Sequence, residues 1–139
     1  MALLPVPYTK HVSLSVGSSV KIKGTSAMPF SMDPDMQVDF HTGNEINSGI
    51  AFCFRVYFGP NKVVMNTRQG GIWGDEETST VMPFEDGQSF ELDISVLAKE
   101  YHVSVNDAQC YHFRHRIEPG SVKMVQVWRD VSLTSVIVA

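Results

Sequence analysis

Three short stretches carry side chains suited to hydrogen bonding and stacking. In FCFRVYF (52–58), Phe52, Phe54, Val56 and Phe58 alternate with Cys53, Arg55 and Tyr57. Successive residues of a strand point to opposite faces, so Cys53, Arg55 and Tyr57 share one face and the four apolar residues the other. VVMNTR (63–68) adds Asn66, whose amide both donates and accepts. GIWGDEET (71–78) adds Trp73 and Glu76. An indole is a flat apolar plate with one N–H, and a carboxylate accepts hydrogen bonds. These six residues predict a shallow binding face with one aromatic plate. Gly70, Gly71 and Gly74 flank Trp73 and point to an exposed, tightly placed ring.

Other chemistries find less support. Cys53 and Cys110 lack the activating base and oxyanion pocket of a thiol enzyme. They make neither a disulfide framework nor a zinc site. His112 and His115 are three apart, which on a strand places them on opposite faces and separates them as metal ligands. Glu76 and Glu77 are neighbours in a loop, not two acids astride a cleft as glycoside hydrolysis requires. No catalytic residue, metal or cofactor is expected.

The elements that must hold this face are strands. Candidates are 12–15, 19–24, 36–41, 50–58, 62–68, 71–73, 90–96, 101–105, 109–115, 121–129 and 132–138. Turn signals punctuate them at Asp33-Pro34, Thr42-Gly43-Asn44, Gly59-Pro60-Asn61, Glu85-Asp86-Gly87, Asn106-Asp107 and Glu118-Pro119-Gly120. Short strands at this spacing predict an all-β sandwich or barrel. Alternation sets Met36, Val38 and Phe40 against Gln37, Asp39 and His41, and Phe90, Leu92, Ile94 and Val96 against Glu91, Asp93 and Ser95. Each such strand is expected to have one apolar and one wet face. Both faces of 121–129 carry apolar residues, so Trp128 is expected in a core or an interface. The closing VSLTSVIVA is too apolar for a bare edge strand, and a dimer partner is the expected cover.

At 139 residues, 43% of them hydrophobic and 19% charged, the chain fits one domain, 1–139, with a core of its own. A net charge of −4 argues against binding to a phosphate backbone, although His112, Arg114, His115 and Arg116 form a local basic cluster in sequence. No run approaches the roughly 18 apolar residues of a membrane helix. The opening MALLPVPYTK lacks a basic leader and contains Pro5 and Pro7, so a signal peptide is not expected. A reducing, cytosolic origin is.

The site stretches resemble the signature of the galectins, which runs His-x-Asn-x-Arg, Val-x-Asn and Trp-x-x-Glu-x-Arg on successive strands. CFRVY (53–57), VMN (64–66) and WGDEET (73–78) stand at these places. LLPVPY (3–8), MQVDF (36–40), PFEDGQSFEL (83–92), FRHRI (113–117, a later face strand) and SVKMVQVWRDVSLTSV (121–136) extend the likeness along the chain, as in the single-domain prototype branch. The resemblance implies a jelly-roll sandwich of two antiparallel sheets, with a β-galactoside lying across the concave one. It also implies homodimers, glycan or glycoprotein partners, cytoplasmic and nuclear residence with leaderless secretion, and roles in immune regulation. On this resemblance a sugar's C–H face is expected to pack on Trp73, with Asn66 and Glu76 bonding its hydroxyls. Cys53 replaces the signature histidine, Arg55 the asparagine, Tyr57 the first arginine and Thr78 the second. Arg55 and Cys53 thereby reshape the hydroxyl pocket, and Arg55 either donates in compensation or fills the space. Weak lactose binding, or action mainly through protein contact, is the expected consequence.

Overall fold

The computed structural model describes residues 3–26, 34–85 and 87–139; Met1 and the turn positions Asp33 and Asp86 lie outside the described residues. The strands are β1 (Tyr8–His11), β2 (Ser19–Ser26), β3 (Asp35–His41), β4 (Ile50–Tyr57), β5 (Lys62–Gln69), β6 (Ile72–Trp73), β7 (Glu77–Ser79), β8 (Ser89–Val96), β9 (Glu100–Val105), β10 (Ala108–Arg114), β11 (Met124–Arg129) and β12 (Val131–Val138). One sheet has the order β1-β11-β3-β4-β5-β6, with β7 also paired to β5. The other has the order β10-β9-β8-β2-β12. The strand pairs are antiparallel. The described residues thus form the expected two-sheet β-sandwich.

The alternation sorted the core faces. Met36, Val38 and Phe40 of β3, Phe52, Phe54 and Val56 of β4, Leu92, Ile94 and Val96 of β8 and Tyr101 and Val103 of β9 are wholly buried between the sheets. Phe52 stacks on Tyr101 at 4.6 Å and meets Phe40 edge-on at 5.7 Å. Burying each such side chain contributes about 1.5–3 kcal/mol, which fixes the pleat of β3 and β4 and hence what their opposite faces present.

The structure corrects several expectations. Residues 12–15 are not a strand; the edge strand is Tyr8–His11, paired with β11. Leu14 is buried without a ladder partner, so the Val12/Leu14 alternation marked packing and not pairing. β7 was not anticipated, because three polar residues carry no apolar period. The strand expected over 121–129 begins at Met124, after a 3-10 turn at Pro119–Ser121. The FRHRI segment closes β10, at the edge of the sheet opposite the candidate site. The polar face of β3 is not wet: Gln37, Asp39 and His41 are 4%, 2% and 1% exposed.

Candidate functional site

The concave face of the larger sheet encloses a cavity of about 780 Å³. Cys53, Arg55, Tyr57, Asn66, Trp73 and Glu76 all line it. Register explains the convergence. Cys53 pairs with Asp39 on one side and Asn66 on the other, and Arg55 with Gln37 and Val64, so i, i+2 residues of three strands stand in rows. Trp73 arrives by a tight hairpin. Gly70 and Gly71 both have positive φ, at 58° and 78°, the left-handed pair that a two-residue turn of matching twist demands. The turn sets Trp73 opposite Arg68, whose guanidinium lies 5.5 Å over the indole. Arg68 also donates to the carbonyls of Ile46 and Ser48, tying the 42–49 loop to this end of the cavity.

Trp73 remains 45% exposed, so its ring is available to a ligand. The Asn66 amide is largely committed. Its Nδ2 donates to the Gly74 carbonyl at 2.9 Å, and its Oδ1 accepts from the Thr67 amide at 2.7 Å and from Arg116 Nη1 at 3.0 Å. One Nδ2–H remains. The exposed Glu76 carboxylate makes no hydrogen bond or ion pair among the described residues. Thr78, at the second arginine position of the signature, pairs with Val64 on β7 and does not line the cavity.

The other half of the floor is a polar network that sequence reasoning did not assemble. Arg55 forms an ion pair with Asp35, donating from Nε at 2.9 Å, and lies 4.5 Å over the Tyr57 ring. Arg129 stands 3.6 Å from the same Asp35 carboxylate, donates to Gln37 Oε1 at 2.7 Å and stacks on Trp128 at 4.0 Å. These contacts offset the strain of a φ of 77° at a non-glycine residue. The Asp39 carboxylate accepts from Gln37 Nε2 at 3.0 Å and from Trp128 Nε1 at 2.9 Å. Trp128 is therefore neither core nor a bare interface plate: it lines the cavity, partly buried, with its N–H turned onto a carboxylate. Cys53 sits on the floor at 5% exposure. Burial, with the Asp39 carboxylate beside it, pushes its thiol far up and keeps it neutral. Cys53 and Cys110 are both free thiols.

The basic cluster in sequence disperses. His115 Nε2 bonds the Leu97 carbonyl, His112 faces Glu100 at 3.9 Å, and Arg116 crosses to Asn66. Among the described residues no group of His, Cys, Asp and Glu is arranged to hold a metal ion, and no helix is long and apolar enough to cross a membrane.

Comparison with known proteins agrees with this geometry. The family model described as galactoside-binding lectin matches residues 5–138. The chain belongs to the galectin family. It is 59% identical over 138 residues to human galactoside-binding soluble lectin 13, covering 99% of each chain. It is 54% identical to human galectin-16, covering 99% of this chain and 96% of that one. Among solved structures, a doubly substituted human galectin-16 superposes with a TM-score of 0.95 at 51% identity, covering 100% of this chain and 99% of the other. Sheep galectin-11 in complex with glycerol gives 0.91 at 43% identity, covering 98% and 99%. Galectins are non-catalytic carbohydrate-binding proteins, and this galectin shares their two-sheet jelly-roll.

Sequence reasoning missed Arg68, Gln37, Asp39 and Arg129 as lining or support of this cavity, and Arg116 as a partner of Asn66. The alternation of β3 already put Gln37 and Asp39 on one face; what was lacking was the strand order that lays that face beside Cys53. Arg116 lies in the segment just after β10, and no local pattern pairs it with Asn66.

Proposed function

We propose that this galectin is a lectin that takes β-galactoside-related glycans, free or on glycoproteins, across its concave sheet, with a pocket altered enough to weaken lactose binding. The observation that carries this reading is the half-exposed Trp73 beside one uncommitted Asn66 N–H and the unpartnered Glu76 carboxylate in a single cavity. A pyranose C–H face covers apolar indole surface, while its hydroxyls accept from the amide and donate to the carboxylate. Charge supports a neutral ligand: Arg55, Arg68 and Arg129 line the cavity, and Asp35, Asp39 and Glu76 balance them.

The altered part is the row on β4. Cys53 replaces an imidazole with a weak S–H donor that is buried on the cavity floor. Arg55 is held back by Asp35 and lies over Tyr57. Each hydrogen bond to a charged group that is lost costs about 1.5–3 kcal/mol. Two of them lower affinity by roughly two to four orders of magnitude. Glycan-array screening, followed by calorimetry with lactose and mannose, tests the proposal. The expected result is saturable binding of at least one glycan, weak or absent heat with lactose, and loss of all binding in Trp73→Ala. A folded wild-type protein that binds no glycan saturably overturns it.

A second reading, action mainly through self-association, is favoured by β12. This edge strand leaves Ile137 51% exposed, and Leu3, beside the Leu4–Leu133 bridge, is 61% exposed. We infer a homodimer closed over this border. Light scattering across a dilution series checks it, with a concentration-dependent doubling of mass expected and a strict monomer excluding it. Cytoplasmic and nuclear residence, leaderless export and a role in immune regulation belong to the same proposal and rest on family membership.

A further inference from the structure

Arg116 follows β10, on the sheet opposite the cavity, yet its guanidinium reaches the back of the site. Nη1 donates to Asn66 Oδ1 at 3.0 Å and to Thr67 Oγ1 at 3.3 Å. Nη2 donates to the Asp75 carbonyl at 2.7 Å and to Glu77 Oε2 at 3.1 Å. Its backbone side is at the surface, but the side chain is only 28% exposed and rests 4.7 Å over the Phe113 ring, whose residue is fully buried. One planar fork thus joins the floor strand β5, the turn after Trp73 and the start of β7.

The loop is shaped to receive this fork. A Cβ on Gly74 would stand 3.1 Å from Arg116 Nη1, 3.2 Å from Asn66 Oδ1 and 3.3 Å from Thr67 Oγ1, so the absent side chain is where the guanidinium fits. Gly74 in turn donates to the Thr67 carbonyl at 2.9 Å and accepts from Asn66 Nδ2 at 2.9 Å. The two arginine positions of the family signature hold Tyr57 and Thr78 here, and Arg116 is the guanidinium that hydrogen-bonds the 74–77 stretch among the described residues.

We propose that Arg116 is the positioning residue of this galectin's saccharide site. It fixes which way the Asn66 amide faces and holds Gly74–Glu77 in place, so that Trp73, Glu76 and the free Asn66 N–H converge before any ligand arrives. This rests on the saccharide reading above. The gain is preorganisation: loop and rotamer order set in the free protein is not lost again on binding. A guanidinium suits the task because it offers five donors in a rigid plane, whereas an ammonium is a single point charge that cannot serve four spread acceptors together.

The test uses ligand-free protein first. Arg116→Met keeps an unbranched apolar side chain and removes every donor, together with the guanidinium's contact with the Phe113 ring; Arg116→Lys keeps the charge. In Arg116→Met the amides of Gly74 and Glu77 are expected to exchange about tenfold faster or more, as befits the loss of several charge-assisted bonds. The two Asn66 Nδ2 proton resonances are expected to move toward their solution average. Lysine restores part of each effect. For the glycan that scores highest with wild type on the array, affinity falls about tenfold in the methionine variant and less in the lysine variant. If Arg116→Met leaves loop exchange and the Asn66 resonances at their wild-type values, or lowers only the melting temperature, the assignment is wrong. Failure of wild type to bind any glycan would instead sink the saccharide reading and with it the assignment, and the ligand-free spectra would then report the clamp alone.

Discussion

Replacing Trp128 by Phe removes a donor and little else. Its Nε1 gives a 2.9 Å hydrogen bond to Asp39, a carboxylate only 2% exposed whose other side-chain donor among the described residues is Gln37. A hydrogen bond to an ionised acceptor contributes about 1.5–3 kcal/mol, and its loss leaves that acceptor short of a partner in a place where water enters poorly. Phenylalanine keeps a ring under Arg129, which now stacks on Trp128 at 4.0 Å, so the cation–π contact is weakened, not abolished. Trp128 borders the cavity, and solvent there partly compensates, which favours the lower half of the range. The expected cost is about 2 kcal/mol. With an unfolding entropy near 2.1 cal/mol/K per residue, this corresponds to a drop in Tm of about 7 °C. Chemical denaturation at neutral pH measures the free energy, and differential scanning calorimetry the Tm. A double-mutant cycle with Asp39→Asn isolates the pair, with a coupling of about 1 kcal/mol expected. If Trp128→Phe stays within about 0.5 kcal/mol of wild type and the cycle is additive, the polar floor does not depend on this bond and the reasoning fails.

The two buried tyrosines should respond in opposite ways to loss of their hydroxyls. Tyr101 is fully buried and its hydroxyl has no hydrogen-bond partner among the described residues, whereas Tyr111 donates to the Val81 carbonyl at 2.5 Å. Tyr101→Phe is expected to be neutral or stabilising and Tyr111→Phe to cost about 1 kcal/mol, as read by denaturant titration of the pair; a larger loss in the first variant would refute the assignment. Alkaline pH should destabilise the fold through Cys53 and Tyr101. Burial raises both groups above their ordinary values of 9.0 and 10.0. The neutral forms that the fold requires are therefore fully present below those values, and stability falls as pH rises past them because the unfolded chain ionises first. The slope contributed by Cys53 approaches about 1.4 kcal/mol per pH unit above pH 9, and Cys53→Ala should flatten the pH–stability curve there. For the same reason iodoacetamide at pH 8 should label the partly exposed Cys110 and spare Cys53 in the native protein; equal labelling would show that the floor opens to solvent.

The sequence by itself settled what a period of two can settle. Alternation in FCFRVYF, MQVDFH and FELDISV named the core faces, and the glycines before Trp73 marked a turn that leaves an indole exposed. Residues no more than a few positions apart thus declared which of them share a face. The tertiary structure decided everything that depends on strand order. It laid β3 between β4 and β11, so Gln37, Asp39 and the partly buried Trp128 became a polar floor and not a wet face or a core plug. It took Arg55 out of the free row by setting Asp35 within reach. It brought Arg116, just past the end of β10, to the back of Asn66, fifty positions away. Such contacts join segments whose proximity follows only from how the sheets order and pack, and no local pattern encodes a neighbour that arrives from another strand.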